Sequence, residues 1–191
     1  MNENLIKEKL AEASELLRQF INDDNSIAMI NQAGDIISEA IKNGNKVIAC
    51  GNGGSMSDAM HFAAELTGRF HKNRFPLPAM AISDPSHITC VANDYGFEYI
   101  FSRFVEANAR KGDILFAIST SANSLNILKA AAVAKKKDVI VIGLTSNNGG
   151  KLAPYCDIEI RVPGTKFSDR AQELHIKIIH CLVEYIESQI Q

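Results

Sequence analysis

Two short loops and a pair of side chains carry the chemistry open to this sequence. "STSANS" (119–124) sets the hydroxyls of Ser119, Thr120, Ser121 and Ser124 between an apolar run and a helix start. A helix start offers free backbone N–H groups and a partial positive charge, so hydroxyls gathered there bind a phosphate without Lys or Arg. One such residue would serve as an ordinary cap; four in six residues ask for a ligand. "GNGGS" (51–55) is the second loop. A dinucleotide fingerprint puts glycines at its first, third and sixth positions, and counting from Gly51 the sixth is Met56. The Gly-Lys-Ser/Thr of a nucleoside triphosphate loop is also missing, so a nucleotide is not favoured. The glycines still let backbone approach a ligand closely, and Asn52 and Ser55 suit hydroxyl groups.

Beyond that loop, His61 and Glu65 stand at i, i+4 and share one helix face. Three readings fit the spacing: a structural pair, two ligands for a metal ion, or an acid–base pair. The helix starts at a ligand loop, so these side chains lie one to three turns from a bound substrate. Arg69, a further turn along, is placed to pair with Glu65. On the last helix Gln172 and His180 stand at i, i+8, about 12 Å apart along an ideal axis, and His175 points elsewhere. One ion would touch both only through the long Gln side chain, or with a ligand from another subunit.

The elements that position these residues follow from hydrophobic periodicity. Residues from about 3 to 43 read as two helices, broken at Asn22-Asp23-Asp24 and ended by "KNGN", with Gly44 past the end. Apolar runs follow at "KVIAC" (46–50), "AMAIS" (79–83), "DILFAIS" (113–119), "VIVIGLT" (139–145) and "CDIEIRV" (156–162). Helices are expected from about Asn123 to Lys136 and from about Ser168 to Gln189, with a short one after "SNNGG". Strands alternating with helices, and apolar on both faces, predict an α/β fold: a five-stranded parallel doubly wound sheet with helices on both sides. Ligands of such sheets sit outside the C-terminal ends of the strands, where both polar loops fall.

Composition sets the remaining bounds. A chain of 191 residues, 46% hydrophobic, suits one compact domain, with 1–43 as a helical pair for oligomer packing and 44–191 as the α/β body. The net charge of −2 is scattered, without the basic stripe of a nucleic-acid binder or the apolar run of a membrane span. The N-terminus lacks a signal peptide's apolar stretch, and a cytoplasmic protein is expected. Cys50, Cys90, Cys156 and Cys181 form no CxxC pair, and are expected to be buried, reduced thiols.

The chain resembles the sugar isomerase (SIS) domain family, and within it the bacterial phosphoheptose isomerases. The likeness runs through "CGNGGS", "DAMHFAAELTGRF", "NDYGFEYIFSR", "GDILFAISTSANS", "GGKLA", "IEIRVP" and "AQELHIKIIH". It implies a flavodoxin-like sheet, a homotetramer with active sites near subunit interfaces, and interconversion of sedoheptulose 7-phosphate with glycero-manno-heptose 7-phosphate. By resemblance, Ser119, Thr120, Ser121 and Ser124 form the phosphate loop. Asn52, Gly53, Gly54 and Ser55 meet sugar and phosphate, Asn93 and Asp94 meet sugar hydroxyls, and Glu65 and His180 act as acid and base. His61, Glu65, Gln172 and His180 resemble a zinc site of the family. The two roles of His180 compete, since an imidazole nitrogen on zinc has no proton to give there. A non-catalytic SIS scaffold that binds the bacterial replication initiator is the alternative; that relative lacks the Glu and the final His that stand here as Glu65 and His180. The chain departs from the family at Ala122, where the loop usually has Gly, and in "PGTKFSDR" (163–170), at the site's edge.

Overall fold

The fold is seen in a computed structural model that describes residues 2–164 and 166–190, with side chains described from residue 4. Helices α1 (Asn2–Ile21) and α2 (Asp24–Lys42) lead into strand β1 (Val47–Gly51) and helix α3 (Gly54–Thr67). Strand β2 (Ala79–Ala81) precedes α4 (Pro85–Tyr95), a 3-10 turn and α5 (Ile100–Asn108). Then come β3 (Ile114–Ile118), α6 (Leu125–Lys136), β4 (Ile140–Ser146), a 3-10 turn at Ala153–Tyr155, β5 (Ile158–Val162) and α7 (Asp169–Gln189).

All strand pairs are parallel, in the order β2-β1-β3-β4-β5. This is the expected flavodoxin-like arrangement, and its order reverses between β1 and β3. Alternate strand residues feed two cores, as a period of two requires. Val47, Ala49, Ile114, Phe116, Ile142 and Leu144 pack with α2, α3 and α7. Ile48, Cys50, Leu115, Ala117 and Val141 pack with α4, α5 and α6. The register pairs Gly51 with Ile118, so the loops that leave β1 and β3 start side by side.

Local chemistry explains most boundaries. The Asp23 carboxylate accepts the Asn25 N–H at the start of α2, and Gly44 has φ +78° past its end, as the sequence predicts. The pair α4–α5 (85–108) is an addition to the expected elements. Its start carries a recognisable signal: the Asp84 carboxylate accepts the His87 N–H at 2.8 Å, and Pro85 opens the helix. The helix expected after "SNNGG" is only the 3-10 turn at Ala153–Tyr155. The thiols also differ from expectation: Cys50 is buried and Cys156 half-buried, but Cys90 and Cys181 are exposed. Cys90 lies on α4, whose buried residue is Val91, and Cys181 lies on the exposed side of α7, whose opposite face lines the core.

Candidate functional site

The glycines of "GNGGS" are there for the turn. A Cβ on Gly51 would meet the Ser55 carbonyl oxygen at 2.4 Å, and Gly53 adopts φ +55°, a conformation that costs an L side chain about 1 kcal/mol or more. The tight turn starts α3 at Gly54, with no side chain capping its first N–H groups. Helix α6 also starts without a side-chain cap bond, although Ser124 stands at the capping position. Its hydroxyl therefore remains available to a ligand. Two helix N-termini, both lacking a side-chain cap, open on one cleft, and this favours an anion.

The cleft encloses about 290 Å³ and is lined by Asn52, Gly53, Gly54, Ser55, Ile118, Ser119, Thr120, Ser121, Ser124, Ser168 and Gln172. Nine of the residues expected to hold substrate thus come together, and no lining side chain is charged. Larger hollows occur elsewhere, one of about 430 Å³ beside Asp157 and Glu159, but none joins hydroxyls to two helix starts. Gln172 lies over the loop, since a Cβ on Gly54 would be 2.6 Å from its Nε2.

A residue not foreseen from the sequence holds the two loops together. Asn126, 3% exposed, donates to Asn52 Oδ1 at 2.8 Å and accepts from Asn52 Nδ2 at 2.9 Å. Its Oδ1 also takes the Ile127 N–H at 2.9 Å. Ala122 takes a left-handed backbone at a cost: its φ is +51°, against which it buries its methyl group fully. A buried methyl contributes about 0.8 kcal/mol, close to the penalty of about 1 kcal/mol for the left-handed backbone.

Farther along α3 lies a second cluster. His61 Nε2 and His180 Nε2 share a hydrogen bond at 2.9 Å, and Glu65 Oε1 is 3.6 Å from His61 Nε2. Helix α7 therefore brings His180 to the His61–Glu65 face, and Phe70 flanks it with ring centres 5.9 Å apart. Arg69 forms no ion pair with Glu65 among the described residues. Arg74 approaches instead, donating to the Glu65 carbonyl oxygen at 2.8 Å. Two imidazoles and a carboxylate are donors of the kind zinc takes. They are not posed as a cage: among the described residues no three His, Cys, Asp or Glu side chains are gathered to hold an ion, and Gln172 lies with the cleft instead. Asn93 and Asp94 are exposed on α4, hydrogen-bonded to each other at 2.8 Å, and neither lines the cleft of its own chain.

Two buried ionisable groups border these features. His175 donates its Nε2–H to the Thr145 carbonyl at 3.1 Å, and burial pushes its pKa down to about 4. It is a neutral strut behind β4, pointing away from His180 as expected. Asp58, one turn before His61, has a buried Oδ2 without a partner. Burial pushes its carboxyl up to about 6, against a smaller pull from His61.

Comparison with known proteins shows what the chain is similar to. The SIS domain family matches residues 8–146. The phosphoheptose isomerase of Vibrio cholerae is 53% identical over 190 residues, covering 100% of each chain. That of Pectobacterium atrosepticum is 54% identical over 190 residues, covering 100% of this chain and 98% of its own. Among solved structures, the phosphoheptose isomerase of Neisseria gonorrhoeae superposes with a TM-score of 0.92 at 37% identity, covering 98% of this chain and 100% of that one. The enzyme from Francisella tularensis gives 0.92 at 36%, covering 98% and 99%.

Proposed function

Since the chain belongs to the phosphoheptose isomerases of the SIS-domain family, we propose that it interconverts sedoheptulose 7-phosphate and D-glycero-D-manno-heptose 7-phosphate. This is the first step toward the heptose of lipopolysaccharide. The observation that carries the reading is the uncharged hydroxyl-and-amide cleft at two helix N-termini, with the Glu65 carboxylate and His61 imidazole farther along α3 and the His180 imidazole of α7 against them. The phosphoryl group binds at Ser119, Thr120, Ser121 and Ser124, and Asn52, Ser55 and Gln172 take sugar oxygens. That grip supplies binding energy far from the reacting carbons and orients them. Ser55 and Glu65 lie about 15 Å apart along the axis of α3, and helix side chains lean back toward the N-terminus. A long sugar held by its 7-phosphate suits this separation.

Isomerisation moves one proton between C1 and C2 and another between their oxygens. Glu65 takes the carbon-bound proton, leaving an enediol(ate), and returns it to the neighbouring carbon. His180 gives or takes the oxygen-bound proton, and its hydrogen bond to His61 offers a second imidazole as a proton source. We propose zinc as an alternative at the same side chains: held by His61, Glu65 and His180, it would supply a Lewis acid to the sugar oxygens, and His180 would then hold the ion rather than give a proton. Asn93 and Asp94 reach substrate from a neighbouring chain of a homotetramer. A cytoplasmic setting is part of the same reading. Among the described residues no helix is long and apolar enough to cross a membrane.

The test is turnover of sedoheptulose 7-phosphate by the wild type and by Glu65→Gln. The variant is expected to fold, to bind the sugar phosphate by calorimetry, and to lose about 10³-fold in kcat. Near-normal turnover by the variant would remove Glu65 as the base. No turnover by the wild type would favour the non-catalytic scaffold. Chelation followed by zinc add-back, read as metal content and as Tm, tests the ion; a protein that takes up no zinc and shows no Tm change would refute it.

A further inference from the structure

The binding cleft has a side hollow with different chemistry. It encloses about 180 Å³ and shares Thr120, Ser121 and Ser168 with the main cleft, adding Ser146, Asn147, Lys166 and Phe167. Lys166 is the only cation lining either space among the described residues. We propose that Lys166 is a specificity-determining residue that pairs, through this side hollow, with the phosphoryl dianion held by the Ser119–Ser124 loop. The inference rests on the reading of the cleft as a sugar-phosphate site and deepens it.

Three observations support the assignment. First, hydroxyls and helix N-termini bring only partial charges, and the main cleft carries no side-chain charge to offset a phosphate monoester. Second, two other cations near the hollow, Arg161 and Arg170, are already engaged. Arg170 is paired with Asp169 and Glu173, and Arg161 with Glu159 at 2.5 Å. Lys166 forms no ion pair among the described residues; its ammonium lies 5.5 Å from the Phe167 ring centre. Third, the hollow is tied to the phosphate loop on one side and to the segment carrying Lys166 on the other. Ser146 Oγ donates to the Thr120 carbonyl at 2.7 Å. A Cβ on Gly164 would lie 2.2 Å from Asn147 Oδ1, so the chain just before Lys166 is seated directly on Asn147.

A long ammonium side chain at the rim adds charge without a fixed fork, so it suits a monoester whose sugar points into the main cleft. It would favour a doubly charged phosphate over a neutral sugar, and the preference would weaken with salt.

The experiment uses the full chain with Lys166→Gln and Lys166→Arg, and inorganic phosphate as the probe, titrated by calorimetry at low and high salt. Lys166→Gln is expected to bind phosphate about tenfold more weakly at low salt and with a flatter salt dependence. Lys166→Arg is expected to retain most of the affinity. With sedoheptulose 7-phosphate, Lys166→Gln is expected to raise KM by a similar factor while kcat changes far less. Equal phosphate affinity in wild type and Lys166→Gln, or no phosphate binding by the wild type, overturns the proposal. Phosphate binding that depends on Lys166, without turnover of the heptose phosphate, would retain Lys166 and reject the heptose reading alone.

Discussion

Asp58 shows how one side chain near the candidate site works against stability. It shares the α3 face of His61 and Glu65, at i, i+3 and i+7, but its Oδ2 is buried without a partner. Burial raises its carboxyl from 3.8 to about 6 in the folded protein. Between those values the folded state binds more protons than the unfolded one. The group's contribution is therefore fully present below pH 3.8 and is lost as pH rises through about 6. At neutral pH the ionised carboxylate costs about 2 kcal/mol. Asp58→Asn removes the charge and keeps the shape. It is expected to be more stable than wild type by about 1–2 kcal/mol at pH 7.5, with the gain gone at pH 4. Urea denaturation at both pH values checks this, and an equal effect at both would show that the charge is not the cause. His175 behaves in the opposite sense. Its pKa of about 4 means that its stabilisation is present above the unfolded value of 6.5 and is lost as pH falls through 4.

At the scale of elements, the site depends on how α3 is held against α7. Arg74 and Glu187 form a buried ion pair at 3.1 Å, 8% and 3% exposed. Glu187 also accepts the backbone N–H groups of His71 and Lys72. Arg74 donates to the carbonyl oxygens of Glu65, Leu66, Gly68 and Phe75. The pair thus fastens the end of α3, which carries Glu65, to the far end of the helix that carries His180. Breaking it strands a buried charge. Glu187→Ala is expected to cost about 3–5 kcal/mol, measured by urea denaturation, whereas Glu187→Gln, which keeps an acceptor, should cost less. A loss below 1 kcal/mol in Glu187→Ala would show that α3 and α7 are held by apolar packing alone. No sequence signal pointed to this strap, because its partners are 113 residues apart and each is ordinary in its own segment. The strands were legible for the opposite reason: "DILFAIS" is buried throughout, and "VIVIGLT" is buried except at the half-buried Ile140. Helix α4 was not, since only Val91 is buried in it and its apolar periodicity is weak. The hydroxyl-lined side of the cleft was legible because Ser119, Thr120, Ser121 and Ser124 fall within six residues. Gln172 was associated with His180 by sharing a helix, and yet it lies over Gly54, two turns away; periodicity gives a residue's face but not its partner.

At the scale of the whole molecule, the surface of α1 is unfinished. Leu5, Ile6, Leu10 and Ile21 are 55%, 59%, 66% and 58% exposed, while Phe20 is the buried anchor of the same helix. A helix of 20 residues contributes little to its own chain's core and offers an apolar stripe outward, which marks an interaction surface. Covering the rest of four such side chains contributes about 4–6 kcal/mol per chain, enough to hold subunits together when other contacts join. The occupant proposed here is another copy of the chain, in the homotetramer that would also carry Asn93 and Asp94 toward a neighbour's cleft. The wild type is therefore expected to sediment at about four times the 20.9 kDa of one chain. Leu10→Glu, which puts a charge in the centre of the stripe, is expected to shift it to a smaller species. That species should keep the far-ultraviolet circular dichroism of the fold, because the two cores of the sheet do not include Leu10. Its turnover should fall with the loss of assembly, since Asn93 and Asp94 would then act on no neighbouring cleft. A tetramer unchanged by Leu10→Glu would move the interface off α1, and a fully active monomer would show that the cleft works within one chain.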